Sequence, residues 1–260
     1  QPSPHETRAA ERLTLSDEAT GALRIFARSH GLTLNTLVQG AWALCLSGAS
    51  GRDDVLFGFV VSGRTPELSG AETMVGLLIN TLPLRVCVAG GESLVLWLKE
   101  VQARQSEAQQ FDYSPLAEVQ RWSEVSPGRP LFESFITFLN YPARDAVAEW
   151  NGPLKVREIE FVEKVDYPLN LIASARHRLE LELKYDARRF STEAVKRQLA
   201  LVGQLLESFA ARADVTVEEF RAVVREANRK GQEARQDGFR ETRRRLLDSV
   251  KQKGRTKAAS

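Results

Sequence analysis

Apolar and polar positions along the chain alternate between helical and strand periods, with Gly, Pro and charged residues marking the breaks. After Ser16, the positions Leu23, Phe26 and Ala27 share one helical face. Ser16 suits the N-cap, Asp17 and Glu18 suit the positive end, and Gly31 stops this helix just after His30. A second helix from about Thr33 carries Leu34, Leu37, Val38, Ala41, Leu44 and Cys45 and reads as mostly buried. The turn "SGASGRDD" closes it.

Two strand-length apolar runs follow, "DVLFGFVVSG" and "MVGLLINTLPLRV", joined by the loop "SGRTPELSGAET". The second predicts a buried strand over 74–86 with an amide, Asn80, in its middle and Thr81 beside it. A buried amide costs free energy unless it is paired, so Asn80 demands a partner. Ser93 then caps a helix with the stripe Leu94, Trp97, Leu98 and Val101, and a short helix runs from Pro115 to about Trp122. "LFESFITFLNYP" reads as a strand, "LKVREIEFVEK" as a half-exposed strand, and "LNLIASARHRLELELKYD" as two strands joined near Arg176 to Arg178.

A helix from Ser191 to about Phe209 buries Val195, Leu199, Val202, Leu205 and Phe209, and reads as the last core helix. Beyond it, Thr216 to Glu219 spells a capping box, and Phe239, Leu246, Leu247 and Val250 form one thin stripe in a charged remainder. The order predicts an α+β fold with helices laid on a mixed sheet. Residues 1–12 read as a polar linker, 13–212 as the folded domain and 213–260 as a basic helical linker or docking tail.

Composition narrows the class. Hydrophobic residues at 43% and charged residues at 27% exclude a disordered or fibrous chain. No stretch approaches the roughly 20 consecutive apolar residues of a membrane span, and the N-terminus lacks a basic-then-apolar secretion pattern. Cys45 and Cys87 lie far apart without CxxC spacing and read as core thiols in a reducing cytoplasm. The net charge of +2 conceals an asymmetry: residues 221–260 hold 13 Lys and Arg against 5 Asp and Glu. That basic tail holds a single aromatic, Phe239, too few for the interleaving that supports nucleic-acid binding, so the pattern points to a solvated linker before nucleic acid.

Catalytic chemistry is sparse. The histidines are His5 in the polar leader, His30 at a helix end and His177 between two arginines of a turn, and a structural reading suits each better than a catalytic one. No GxSxG elbow, GxxxxGK[ST] loop or HExxH metal site occurs, and no metal ligand set is indicated. The acid pairs in "RDD" and "VEEF" belong to a turn and a helix start. The residues alone indicate a soluble α+β domain.

Read in order, "LTLNTLVQGAWALCLSGASGRDDVLFGFVVSGRTPEL", "MVGLLINTLPLRV", "FDYSPLAEVQRWSEVSPGRPLFESFITFLNYP" and "DYPLNL" resemble the C-terminal half of condensation domains from nonribosomal peptide synthetases, over about residues 12–210. The subtype it most resembles joins L-configured donors and acceptors. The resemblance implies one lobe of a chloramphenicol-acetyltransferase-like pair enclosing a tunnel. In that family an acceptor amine attacks a donor thioester, both carried on phosphopantetheine arms of carrier proteins. The family's His-His-x-x-x-Asp-Gly signature belongs to the other lobe and is absent from this sequence, so the resemblance implies no catalytic residue in this chain and little activity by itself.

By the same resemblance, the partners are an N-terminal condensation lobe and upstream and downstream peptidyl carrier proteins, with no cofactor bound directly. Asn80 and Thr81 would face the inter-lobe tunnel with Gly76, where an amide can orient substrate or stabilise developing charge. The alternative for Asn80 is that it satisfies neighbouring backbone. Arg64 falls in the segment resembling the family's floor loop, where it would pair with a carboxylate of the other lobe or remain solvated. Arg85, ending a strand, reads as a structural ion-pair member. "FLNYPARDAVAEW" matches the region of the lobe-crossing latch, whose apolar residues would be exposed in an isolated lobe. Two other readings share the fold: a non-catalytic lobe that binds carrier proteins, and a related acyltransferase or epimerisation domain. The basic tail is compatible with docking to a downstream synthase protein.

Overall fold

A computed structural model describes residues 8–64, 69–71, 73–126, 128–139 and 167–233. Among these residues, six strands form one mixed sheet: β1 (Arg8–Thr14), β2 (Asp54–Val61), β3 (Asn80–Cys87), β4 (Ser134–Leu139), β5 (Leu169–Ala175) and β6 (Leu179–Asp186). Their spatial order is β1-β6-β5-β4-β2-β3, with β4 parallel to both β2 and β5 and the other pairs antiparallel. The helices are α1 (Asp17–His30), α2 (Leu34–Ser50), α3 (Leu94–Gln109), α4 (Leu116–Trp122) and α5 (Thr192–Ala211), followed by α6 over 217–233. The α+β class with a mixed sheet is as the sequence predicts.

Strand period explains how the helices and sheet meet. Phe57, Phe59, Leu82, Leu84, Ile136, Leu171, Leu181 and Leu183 occupy alternate positions on one face and join Leu37, Ala41, Leu98, Leu199 and Val202 from the helices in a single core. The opposite face of the outer strands is polar, with ion pairs Arg85–Asp54 and Arg12–Glu182. Local sequence starts the helices: Ser16, Thr33, Ser93 and Ser191 each accept a backbone N–H three residues on. Gln102 on α3 then locks α2 in place, its Oε1 accepting from Thr33 N and Thr36 Oγ1 while its Nε2 donates to Gly31 O.

Four expectations are corrected. The leader does not stay a linker to residue 12, because Arg8–Thr14 pairs along β6 as an edge strand. Only Ala9, Glu11 and Leu13 turn inward there, and half-buried, so the segment looks polar in sequence. The strand expected over 74–86 begins at Asn80, opposite Val61 where β2 ends, and among the described residues the apolar positions before it pair with no strand. The folded unit does not end at 212, since Val217, Phe220 and Val224 of α6 are fully buried. Three apolar residues suffice because α6 lies close against Gly48 of α2 and sets Phe220 edge-on to Phe209 of α5. Finally, Cys45 is buried but Cys87 is exposed, because its parity in β3 turns it to the polar face. The strand expected in "LKVREIEFVEK", the latch region after Leu139, His5 and the stripe from Phe239 to Val250 lie outside the described residues.

Candidate functional site

The residues singled out from the sequence lie at one end of the sheet, where β2 leaves at Val61 and β3 enters at Asn80. Between them the chain makes a wide excursion. Its return is tight at Gly63, whose positive φ of 63° and approach to the Leu78 carbonyl leave no room for a Cβ.

Asn80 stands on the helix-covered side of the sheet, in register with Val61. Its Nδ2 donates to the carbonyls of Asp112 and Ser114 at 2.8 and 2.7 Å, and its Oδ1 accepts from Thr81 N at 2.8 Å. Both amide hydrogens are therefore committed to the turn that follows α3. Thr81 points to the opposite face, in register with Val60. Arg64 makes an analogous connection within the excursion, donating to Ala71 O and, at 3.1 Å, to Met74 O. Gly76 is exposed, its φ is not positive, and a Cβ there would meet nothing within 4 Å, so neither conformation nor close contact requires glycine.

What these polar anchors hold in place is apolar and exposed. Met74, Val75, Leu77 and Ile79 lie along the excursion with their side chains in solvent, Val75 completely so. Phe111 and Tyr113, 53% and 76% exposed, lie in the turn that Asn80 holds, and Trp122 ends α4 with 70% of its surface exposed. Large apolar groups gathered along connected segments mark a surface that expects a partner. The sequence reading missed the Phe111–Tyr113 turn. Its signal was two aromatics placed just past a helix end, where neither can join that helix's buried stripe.

Acid–base chemistry is not assembled among the described residues. They contain no group of three or more His, Cys, Asp or Glu able to hold a metal ion. His30 bonds the Phe26 carbonyl through Nδ1 at 2.9 Å and rests against the Phe26 ring, while His177 occupies the β5–β6 turn. Burial pushes the Cys45 thiol far up, which keeps it protonated and unreactive. Arg85 grips Asp54 with three bonds of 2.6 to 3.0 Å and holds that carboxyl below the usual range, as its structural reading anticipates. Burial, aided by the charge of Glu100, raises Glu92, which stands at the entrance to α3 with its backbone carbonyl bonded by Val217 N. One further polar group is out of place. Gln39 of α2 is fully buried, and neither of its side-chain polar atoms has a hydrogen-bond partner among the described residues.

Among the described residues, no helix is long and apolar enough to cross a membrane. The family model described as "Condensation domain" matches residues 2–230. The chain is 41% identical over 209 residues to a linear gramicidin synthase protein of Brevibacillus parabrevis, covering 80% of this chain and 3% of that protein. It is 40% identical over 217 residues to chondramide synthase cmdD of Chondromyces crocatus, covering 84% of this chain and 6% of that one. Solved structures agree in fold. The first condensation domain of the calcium-dependent antibiotic synthetase superposes with a TM-score of 0.65 at 20% identity, over 82% of this chain and 46% of that one. The X-domain from teicoplanin biosynthesis gives a TM-score of 0.68 at 18% identity, over 81% and 49%. The chain thus spans about half the length of these solved domains and a small part of the synthases.

Proposed function

The chain belongs to the condensation-domain family, and from that premise we propose that it is the C-terminal, acceptor-side lobe of a nonribosomal peptide synthetase condensation domain. The observation that carries this reading is the match over residues 2–230 set against coverage of only about half of solved condensation domains. The exposed apolar side chains around Asn80, from Val75 to Trp122, support it as the surface a second lobe would cover.

In the complete domain, an acceptor amine on one carrier-protein phosphopantetheine arm attacks the thioester carbonyl on another. The new C–N bond forms, the C–S bond breaks and the donor arm leaves as its thiol, with the amine's proton lost to a base. This chain has no His-His-x-x-x-Asp-Gly sequence, and the amide of Asn80 and the guanidinium of Arg64 are bonded to its own backbone. Its part is therefore to form one wall of the tunnel, position the acceptor and meet the carrier proteins, while the proton-handling group comes from the N-terminal lobe. Asn80 and Arg64 act here by shaping that wall, and Thr81 and Gly76 line it. No cofactor is held by this chain itself, and its setting is cytoplasmic secondary-metabolite biosynthesis.

The engagement of Asn80 and Arg64 also favours a second reading, a lobe that binds carrier proteins without contributing to catalysis. The test combines the chain with a matching N-terminal lobe and two loaded carrier proteins, and looks for carrier-bound dipeptide by mass spectrometry. Product that requires both lobes supports the condensation half-domain. Lobe association without product moves the assignment to the binding lobe, and no association overturns the half-domain reading.

A further inference from the structure

Asn80 brackets a single residue. The two carbonyls that accept from its Nδ2, those of Asp112 and Ser114, belong to the residues on either side of Tyr113. Within the turn, Phe111 N bonds Ala108 O, Asp112 N bonds Gln109 O and Ser114 N bonds Phe111 O, at 2.9 to 3.2 Å, so α3 unwinds through a run of short-range bonds. Among the described residues, the hydrogen bonds that join this turn to the sheet are those from Asn80. With both hydrogens spent, the amide has no donor left to offer a substrate.

The outcome of this bracket is that Tyr113 is held at its backbone while its side chain projects into solvent. An exposed ring on a fixed backbone is a preorganised contact, because few torsions remain to be frozen when a partner arrives. Tyrosine is also among the residues that dominate binding energy at interface centres.

We propose that Asn80 is a positioning residue for Tyr113, and that Tyr113 inserts into an apolar pocket of the complementary lobe. This inference rests on the half-domain reading. The occupant is argued from coverage: solved domains of this fold are about twice the matched length, so a partner of similar size is wanting on this chain. Phe111 extends the same contact, and the phenol oxygen asks for one polar group at the far end of the pocket.

The experiment is a double-substitution cycle on the 260-residue chain, with association to a purified matching N-terminal lobe measured by calorimetry. Tyr113→Ala, at an exposed site, keeps the fold and is expected to weaken association at least tenfold. Asn80→Ala is expected to weaken it to a similar extent, and Asn80/Tyr113 doubly changed to Ala to be no weaker than Tyr113→Ala. Hydrogen exchange in 111–114 should accelerate in Asn80→Ala. A merely structural Asn80 would instead lower thermal stability and give losses that multiply in the double variant. If the unchanged chain associates but Tyr113→Ala binds within twofold of it, this inference is overturned while the half-domain reading stands. Should Asn80→Ala not fold, Tyr113→Ala decides alone. If the unchanged chain fails to associate, the half-domain reading falls and takes this one with it.

Discussion

Gly48 in α2 and Val224 in α6 are so close that a Cβ on the glycine would overlap Cγ1 of the valine. That approach makes α6 part of the folded core, as does the ion pairing of Arg221 with Asp53 at the start of β2. Gly48→Ala should therefore destabilise, by about 1–3 kcal/mol as overpacking does, even though alanine favours a helix over glycine. Urea unfolding checks the sign, and a stabilised variant would mean that α6 is not seated on α2.

Phe220→Ala tests the same helix from its other side. The ring is 1% exposed and meets Phe209 edge-on with centroids 5.0 Å apart. Its removal should cost about 3–5 kcal/mol. A cost below about 1 kcal/mol would return residues beyond 212 to the role of a linker.

These two substitutions address what was hardest to read in the sequence. Helix starts were legible because a cap is a local device: Ser16, Thr33, Ser93 and Ser191 use bonds within three residues. The strands of the sheet interior were legible from apolar runs or alternation. The edge strand β1 and the helix α6 were not, because each buries only two or three apolar residues, and the groove receiving them is built from residues distant in sequence. Residues 74–79 misled for the opposite reason. Apolar character records that a surface leaves water, and it does not say whether the chain's own core or another protein covers it. Asn80 was visible as an amide needing a partner, but its partners, 32 and 34 residues away, were not.

Trp42 joins α2 to the sheet through a bond from Nε1 to Ser134 Oγ of 3.3 Å, with the indole fully buried. Ser134→Ala leaves that N–H without its acceptor at little change in volume. The expected cost is about 1–3 kcal/mol, with a blue-shifted or broadened Trp42 emission as the indole loses its partner. Unchanged stability would show that the bond adds nothing to the packing.

Gln39 gives a prediction of opposite sign. Among the described residues nothing pairs its buried amide to offset desolvation, so Gln39→Met, of similar length, should stabilise by about 1–2 kcal/mol. Thermal unfolding measures it. A destabilised variant would instead indicate that ordered water satisfies the amide.

Asp186, on the β1–β6 edge, makes one contribution to stability pH-dependent. Arg188 contacts its carboxylate with Nε and Nη2 at 3.0 and 2.8 Å, and Arg188 N adds a third bond of 3.0 Å. The guanidinium hydrogen bond is the largest cause, the backbone bond comes next, and together they lower the carboxyl from 3.8 to about 2. A carboxyl depressed in the folded state stabilises that state while it is ionised. Its contribution should be complete above about pH 4 and should disappear as the pH falls through about 2. Arg188→Ala removes the largest cause, so Asp186 should titrate higher. The stability difference between the variant and the unchanged chain should be largest near neutral pH and narrow from about pH 4 to 2. Carbonyl-detected NMR titration of Asp186 gives the first quantity and urea unfolding across that range the second. A variant in which Asp186 still titrates at about 2 would assign the depression to the Arg188 backbone N–H and the nearby charge of Arg8.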